Sequence, residues 1–286
     1  MNKIHEKTTK IDLNPIYKFA VESAKVTLST GNSKIGRMIN WSTLPGNKEH
    51  QLIAKGRIIT DIPGTCSSNC NGCFKSCYAR RSILQHHNSV TRSWAENTLM
   101  IRHRTEECFK EIDRQIRELN KKFCTSGNPA DLRFEFFRIN TSGEVQTLRE
   151  LELWNDLAKK HPKIKFGIYS KNAIVLLAFF KKHGQSAENF CINVSEWNDC
   201  MKPVIEELHS MGAVFNVFHY DDSNLSSCNM TPEEKRTRQA KPHCIAVGQT
   251  AANRHPINPA TGEPWKCEDC KGCYTKTGIH RYVYSH

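Results

Sequence analysis

The 286-residue sequence contains no apolar run long enough to cross a lipid bilayer. Its longest run, "AIVLLAFF" at residues 173–180, falls well short of the roughly 20 residues that a spanning helix needs, and it favours a buried helix. Residues 1–20 hold no uninterrupted apolar core of the kind found in secretory signal peptides. We therefore expect a soluble, cytoplasmic protein with no membrane partner.

The sequence also lacks the patterns of several common enzyme classes. No Ser-His-Asp, paired-carboxylate or phosphate-loop constellation is recognisable. Internal repeats, low-complexity tracts and linkers rich in Gly, Ser or Pro are missing as well. We expect a main domain over residues 57–221, preceded by a lead-in segment at 1–56 and followed by a cysteine-rich cap at 222–286.

Negatively charged residues are too few to balance the positive ones. Lys and Arg number 41 against 29 Asp and Glu, which gives a formal net charge of +12. This balance favours anionic partners such as nucleic acid, although a generally basic solvated surface explains it equally well. The basic stretches "KKHPKIK" and "EEKRTRQAKPH" contain no aromatic residue that could stack on a base. Nucleic acid is therefore one candidate partner among several.

Strand and helix patterns alternate regularly after residue 57. Runs rich in β-branched and aromatic residues predict strands at residues 57–62, 132–139, 163–170, 190–195 and 213–220. Apolar residues spaced three or four apart predict helices at residues 93–122, 145–160, 172–183 and 199–211. The first of these helices is predicted to begin at Ser93, with Glu96 completing a capping box.

This alternation indicates an α/β fold with a parallel sheet and right-handed crossovers. We expect a (βα)-repeat partial barrel similar to a TIM barrel, and an open doubly wound sheet is the alternative. In both architectures, functional groups gather in the loops that leave the carboxyl ends of the strands. The loops at residues 64–82, 140–144 and 195–197 meet that condition.

Eight of the 13 cysteines form two groups. The first group, with the spacing C-x3-C-x2-C-x3-C, consists of Cys66, Cys70, Cys73 and Cys77. The second group consists of Cys244, Cys267, Cys270 and Cys273. In a cytoplasmic protein, clustered cysteines bind metal or carry out redox chemistry more often than they form stable disulfides. Both groups are therefore predicted metal sites.

The remaining five cysteines are scattered, and we expect them to be structural. They are Cys108, Cys124, Cys191, Cys200 and Cys228. Cys108 and Cys191 fall on the apolar faces of a predicted helix and a predicted strand, so we expect both in the core.

The spacing within the two groups favours iron–sulfur clusters over zinc. A zinc ribbon uses two well-separated C-x2-C knuckles, and neither group has that layout. The C-x2-C-x2-C run at residues 267–273 is similar to the start of the bacterial ferredoxin motif, whose thiolates hold a cubane. We predict two [4Fe–4S] clusters, with zinc as the alternative and disulfides as the least favoured interpretation.

The spacing C-x3-C-x2-C of Cys66, Cys70 and Cys73 resembles the signature of radical S-adenosylmethionine enzymes. This resemblance implies that S-adenosylmethionine is a cofactor and that a turn after the next strand holds its amino group. The residues at the matching positions are Ser142, Gly143 and Glu144, with Ser195 as a ribose contact. The alternative for the Ser-Gly-Glu turn is an ordinary strand-to-helix connection in which Ser142 caps the helix.

A broader resemblance rests on the segments "TGNSKIGRMINWSTLPG", "TCSSNCNGCFKSCYARRS", "FRINTSGEVQTLRELELWNDLAKKHPKIKFGIYSKN" and "CEDCKGCY". Together these segments look like the gene product 88 family of bacteriophages and mobile elements. The resemblance implies that most of the clustered cysteines belong to the family pattern, namely Cys66, Cys73, Cys77, Cys244, Cys267, Cys270 and Cys273. It places the protein in the cytoplasm of a bacterial host.

Three functions are compatible with these patterns. The first is an iron–sulfur enzyme that carries out redox or radical chemistry on a partial barrel. The second is a protein of a phage or mobile element that transfers electrons to a redox partner protein or senses oxidation. The third is a zinc-stabilised protein that binds nucleic acid through its positive charge.

Overall fold

The computed structural model describes residues 15–31, 36–50, 52–54, 57–67, 73–85, 87–121, 133–221, 233, 258–262 and 265–284. Its strands are β1 (Ile39–Asn40), β2 (Leu52–Ala54), β3 (Arg57–Thr60), β4 (Phe136–Ile139), β5 (Lys165–Ser170), β6 (Phe190–Glu196), β7 (Asn216–Asp221) and β8 (His280–Tyr284). All except β2 and β3 form one six-stranded sheet, in which neighbouring strands run parallel. The protein therefore has the predicted mixed α/β architecture.

Nine α-helices lie in the described residues. They are α1 (Pro15–Ser23), α2 (Cys73–Ser76), α3 (Tyr78–Gln85), α4 (His87–His103), α5 (Thr105–Lys121), α6 (Leu148–Lys160), α7 (Ala173–His183), α8 (Lys202–Ser210) and α9 (Cys267–Cys270). None of the helices in this part of the chain is long and apolar enough to span a membrane.

The strand order β1-β4-β5-β6-β7-β8 adds each new strand to the same edge of the sheet. Because crossovers of one hand that move in one direction leave their helices on one side, α6, α7 and α8 are expected to share a face. Alternate strand residues, such as Phe137, Ile168 and Val194, are buried in the main core together with Leu151 of α6 and Leu176 of α7. This core occupies one face of the sheet.

Residues at the intervening strand positions face the segment that carries the last cysteines. Phe136 of β4 packs against Tyr274, with ring centroids 5.0 Å apart. Gly167 of β5 leaves the space that the Tyr274 ring fills, because an added Cβ would lie 2.8 Å from the ring. The face of the sheet opposite the main core is thus partly covered by residues 267–275.

The prediction that residues 57–62 form the first strand of the parallel sheet is wrong. Within this run β3 pairs antiparallel with β2, as a hairpin separate from the main sheet. The first strand of the sheet is β1, which lies in the predicted lead-in segment and pairs with β4. A short β-branched run looks the same in a hairpin and in a parallel sheet, and the two residues of β1 give no period to detect.

The single predicted helix at residues 93–122 is two helices, α4 and α5, which meet at Arg104. Ser93 is not an N-cap, because it lies inside α4 and its hydroxyl donates to the Ser89 carbonyl oxygen at 3.0 Å. Glu96 pairs with Arg92 one turn earlier instead of closing a capping box. The polar residues between 87 and 92 obscured the true start of the helix.

The later elements agree with their predictions. Residues 145–160, 172–183 and 199–211 contain α6, α7 and α8. Thr147 and Asn172 cap the first two helices by accepting from the amides of Glu150 and Val175. Strand β8 extends the sheet into the predicted cap segment, where the sequence analysis proposed no strand.

Candidate functional site

The first cysteine loop is anchored to residues 44–46. The Thr65 amide donates to the Leu44 carbonyl oxygen at 2.9 Å, and the Cys66 amide donates to that of Gly46 at 2.8 Å. The Gly46 amide in turn donates to the Cys66 sulfur at 3.2 Å. These three hydrogen bonds fix the position of Cys66 against residues 44–46.

Cys73 and Cys77 lie on the two short helices that follow the loop. Cys73 begins α2 and is buried beside Phe74 in a small apolar cluster, against which Cys66 also packs. Cys77 joins α2 to α3. Burial is the main cause that raises the pKa of the Cys77 thiol, and the charge of Cys73 adds to it. The fold therefore brings the three described cysteines of the first group into one neighbourhood.

Lys171, directly after β5, reaches this neighbourhood. Its ammonium donates to the Cys73 sulfur at 2.9 Å and lies 5.2 Å from the centre of the Trp197 ring. Its backbone amide donates to Glu144 Oε2 at 2.9 Å. Burial is the largest influence and works to lower the pKa of Lys171, but the charge and hydrogen bond of Cys73, together with the charges of Glu144 and Cys66, outweigh it, and the pKa is raised. The ammonium is thus held in its charged form beside a cysteine sulfur.

The predicted Ser-Gly-Glu turn supports the cysteine loop. Gly143 has φ of +84°, and a Cβ there would come within 1.9 Å of Thr43 Oγ1 and 2.4 Å of Thr65 Oγ1. The Glu144 amide donates to Thr65 Oγ1 at 2.9 Å. Only glycine permits this approach, which fixes the residue that precedes Cys66 against the end of β4. Burial raises the pKa of the Glu144 carboxyl.

The two other residues predicted for a cofactor lie in different settings. Ser142 is buried, and its hydroxyl has no hydrogen-bond partner among the described residues. The alternative in which Ser142 caps the next helix is therefore wrong, since Thr147 caps α6. Ser195 is half-buried in β6, opposite Phe218 of β7.

The second cysteine group packs on the face of the sheet opposite the main core. Cys267 and Cys270 lie on α9, and Cys273 lies in a 3₁₀ turn that spans Gly272–Tyr274. The Cys273 sulfur accepts a hydrogen bond of 2.5 Å from the Tyr169 hydroxyl, and an Arg281 nitrogen lies 3.5 Å from the Cys270 sulfur. Each of these sulfurs therefore faces a proton donor.

Two buried asparagines attach this segment to the sheet. Asn193 Nδ2 donates to the Cys273 carbonyl oxygen at 3.0 Å. Asn216 Nδ2 lies within hydrogen-bond distance of the carbonyl oxygens of Gly272, at 3.2 Å, and Thr275, at 3.1 Å. Both asparagines are fully buried. They satisfy backbone acceptors of a segment with no regular ladder of its own.

Arg138 of β4 lies between the two cysteine groups. Its guanidinium stacks over the Tyr169 ring at 5.0 Å. Burial disfavours its charge, but Tyr78, Tyr169 and Tyr274 raise its pKa above the ordinary value, with a smaller contribution from Cys267. Tyr78 also donates to the Thr141 carbonyl oxygen just beyond β4. A permanent, half-buried cation therefore lies among three tyrosines, near Cys267 of the second group.

Comparison with known families identifies the chain. The profile of the family described as Gene product 88 matches residues 23–276. The chain belongs to the gene product 88 family. No curated protein and no solved structure matches it. The resemblance to radical S-adenosylmethionine enzymes receives no support from these comparisons.

The described part of this gene product 88 chain contains six of the eight predicted metal ligands. Cys70 of the first group and Cys244 of the second lie outside the described residues, which leaves three cysteines in each group. In the described ranges, no three His, Cys, Asp or Glu side chains are arranged to hold a metal ion. The two groups therefore remain predicted sites.

The structure tests three of the five scattered cysteines. Cys108 and Cys191 are fully buried in the gene product 88 fold, as predicted. Cys200 is exposed at the start of the turn before α8. Cys124 and Cys228 lie outside the described residues.

Sequence reasoning missed three polar residues of the site: Lys171, Arg138 and Tyr169. Each lies in or directly after a strand whose other residues are mostly apolar, in "FFRI" and "KFGIYSK". A charged residue inside such a run was the available signal, because an ion on a buried strand requires a partner. The partner itself comes from a distant segment and could not be named from spacing.

Proposed function

We propose that this protein is an iron–sulfur protein with two [4Fe–4S] clusters. Cys66, Cys70, Cys73 and Cys77 would hold one cluster, and Cys244, Cys267, Cys270 and Cys273 would hold the other. The clusters would supply one-electron redox chemistry.

The observation that carries the proposal is the hydrogen bond from the Lys171 ammonium to the Cys73 sulfur. An ammonium has three donors and no acceptor, so the sulfur must accept. This geometry favours a thiolate, which is the form of cysteine that binds metal. A structural cysteine in an apolar cluster has no need of a buried cation.

The surroundings of the other sulfurs fit the same chemistry. Gly46, Tyr169 and Arg281 each offer a donor to a cysteine of one of the two groups. Donors to ligating sulfurs stabilise a metal–thiolate site and tune its reduction potential. Thiolate ligands also suit zinc, so the hydrogen-bond donors around the sulfurs do not by themselves distinguish iron from zinc. The cysteine spacing is the reason to prefer iron.

The finer architecture supports an enzyme more than a passive electron carrier. A sheet to which each strand is added at the same edge has the strand order of a (βα) partial barrel. Cys73 contacts Lys171, directly after β5, and Thr65, the residue before Cys66, contacts Glu144 in the loop after β4, where such folds carry their active sites. We therefore propose redox or radical chemistry at this edge, with S-adenosylmethionine as a candidate cofactor at Ser142, Gly143, Glu144 and Ser195.

Two alternative functions also involve a metal site, but they give that site a different role. A non-enzymatic protein of a phage or mobile element would exchange electrons with a redox partner protein or sense oxidation in the bacterial cytoplasm. A zinc protein would use its net charge of +12 to bind nucleic acid.

The deciding experiment is anaerobic purification of the full-length protein, followed by measurement of iron, acid-labile sulfide, zinc and the visible spectrum. About eight irons with equal sulfide would match two cubanes. Cys73→Ser and Cys273→Ser should each lower the iron content by about half, whereas Cys200→Ser, at an exposed cysteine, should leave it unchanged.

The other outcomes separate the alternatives. Electron paramagnetic resonance of the reduced protein should change on addition of S-adenosylmethionine if the radical version holds, and reversible reduction without such a change favours electron transfer. Zinc without iron would refute the proposal. Salt-dependent affinity for DNA would then be measured.

A further inference from the structure

The end of β4 and the residues directly after it hold an unusual number of buried polar atoms without partners among the described residues. Nine buried side-chain nitrogen and oxygen atoms have no hydrogen-bond partner among the described residues, and five of them belong to residues 138–142. These five are Arg138 Nε, Asn140 Nδ2, Asn140 Oδ1, Thr141 Oγ1 and Ser142 Oγ. A buried polar group without a partner costs free energy, so such a concentration calls for a ligand.

Several backbone groups of the same segment bond to residues 41–43. The Trp41 amide donates to the Arg138 carbonyl oxygen at 3.0 Å, and the Thr141 amide donates to that of Trp41 at 3.1 Å. The Thr43 amide donates to the Ser142 carbonyl oxygen at 3.0 Å. The segment is therefore held in place from the β1 side while its side chains remain available, which is the arrangement of a preorganised binding site.

Asn140 has a backbone conformation that is uncommon for residues other than glycine. Its φ is +51°, in the left-handed region, and its side chain is only 5% exposed. Asparagine tolerates this region because its amide usually bonds to the nearby backbone. In this protein the amide makes no such bond with the described residues. Local turn chemistry therefore does not explain why the amide is buried here.

The available groups favour an anion. They combine the Arg138 guanidinium with the amide N–H groups of Asn140 and the hydroxyls of Thr141 and Ser142. A guanidinium presents paired donors that match carboxylate and phosphate oxygens, and the buried Nε of Arg138 has no partner among the described residues. The site follows a parallel strand at its carboxyl end, where α/β folds bind ligands.

We propose that Arg138, Asn140 and Thr141 form a binding site for the carboxylate or phosphate group of a small-molecule ligand. Asn140 Oδ1 would accept from a hydroxyl or amine of the same ligand. The site goes beyond the proposed iron–sulfur function and does not depend on it, because none of its groups is a cysteine.

The competing explanation is that Arg138 serves only as a counter-charge for Cys267, which lies within its electrostatic reach. A counter-charge would use the guanidinium alone. It would leave the amide of Asn140 and the hydroxyls of Thr141 and Ser142 still buried without partners. The anion site explains all of these groups together.

The test is isothermal titration calorimetry of anaerobically purified full-length protein at fixed ionic strength, with inorganic phosphate in one series and acetate in another. We expect saturable binding of at least one anion. Stronger binding of phosphate would indicate a phosphorylated ligand, and stronger binding of acetate a carboxylic acid.

Three variants locate the site. Arg138→Lys keeps the charge but loses the paired donors, and it should weaken binding about 10-fold. Asn140→Asp tolerates the same backbone conformation and adds a negative charge, so it should weaken binding at least as much. Arg149→Lys, at an exposed arginine of α6 that pairs with Glu106, is the control and should bind as the wild type does.

Circular dichroism and iron content are measured on each protein. If Arg138→Lys misfolds, Asn140→Asp decides the question. Absence of saturable binding in the wild type, or unchanged binding in both variants, overturns the inference. An Arg138→Lys protein that loses iron yet binds anions normally would assign Arg138 to the cysteines instead. Iron content and anion affinity are separate readouts, so failure of one proposal leaves the other standing.

Discussion

The ammonium of Lys171 donates a hydrogen bond of 2.9 Å to the sulfur of Cys73, and the two residues are 98 positions apart in the chain. This contact joins the carboxyl end of β5 to the first cysteine loop. Because the backbone amide of Lys171 also donates to Glu144, one residue links two strand ends to the loop. The position of the first cysteine group is therefore set by the parallel sheet.

Substitution of Lys171 by Met should weaken this link. Loss of a hydrogen bond between charged groups in a buried setting should lower the free energy of unfolding by about 2 kcal/mol and reduce the bound metal per chain. Anaerobic urea unfolding and metal analysis measure the two effects. Lys159→Met, at an exposed lysine of α6, is the control. Equal behaviour of the two variants would contradict the role of Lys171.

Gly143 provides a second test of how the loop is held. Gly143→Ala should destabilise the protein by about 3 kcal/mol, because the new Cβ meets Thr43 and Thr65 and the left-handed backbone is unfavourable for alanine. Gly184→Ala is a matched control, since its φ is +69° and nothing lies within 4 Å of the added atom. That variant should lose only about 1 kcal/mol. The difference between the urea midpoints of the two variants measures the cost of the contact that the new Cβ makes with Thr43 and Thr65.

The sequence was sufficient for the strands and helices whose patterns repeat over several residues. Strands β5 and β6 and helices α6 and α7 carry alternating or three-to-four spacing that depends on their own residues. The two residues of β1 and the position of β3 outside the sheet depend on which segments meet in space. No local sequence pattern shows which segments pair in space. For this reason the sequence analysis predicts the first strand of the sheet at residues 57–62 instead of at β1.

The candidate site likewise contains some features that the sequence predicts and others that it does not. The two cysteine groups were recognised because their members are closely spaced along the chain, a pattern typical of metal ligands. The contacts of Lys171 with Cys73 and of Tyr169 with Cys273 join segments that are 98 and 104 residues apart. Such contacts follow from strand order and register, and a single sequence does not contain them in readable form. The remaining sign of these contacts in the sequence was a polar residue, such as Arg138 or Tyr169, within a mostly apolar strand.

Substitution of Asn216 tests how the second cysteine group is attached to the sheet. Asn216→Ala should remove the donor that the carbonyl oxygens of Gly272 and Thr275 share. We expect about 2 kcal/mol of destabilisation and faster amide hydrogen exchange in residues 267–275. Asn198→Ala, at an exposed asparagine whose side chain makes no capping bond, should change neither quantity. Unchanged exchange in the first variant would mean that other contacts hold the segment.

Glu150 gives the protein a predictable dependence of stability on pH. Burial raises the pKa of this carboxyl from 4.5 to about 8, although the Gln146 amide donates to it at 2.8 Å. Between pH 4.5 and about 8 the folded chain keeps a proton that the unfolded chain has released. Unfolding therefore releases a proton in this window, and stability should fall as the pH rises through it.

Glu150→Gln should remove most of this dependence, because a neutral amide can still accept from the Gln146 amide. Each pKa unit corresponds to about 1.4 kcal/mol, so the variant should exceed the wild type by a few kcal/mol at pH 8 and match it near pH 4.5. Glu144, whose pKa burial also raises, should leave a smaller residual slope. Urea unfolding across this range measures the effect. Glu118→Gln, at an exposed residue of α5, should retain the slope of the wild type. Equal slopes for Glu150→Gln and the wild type would show that Glu150 is ionised in the folded protein at neutral pH.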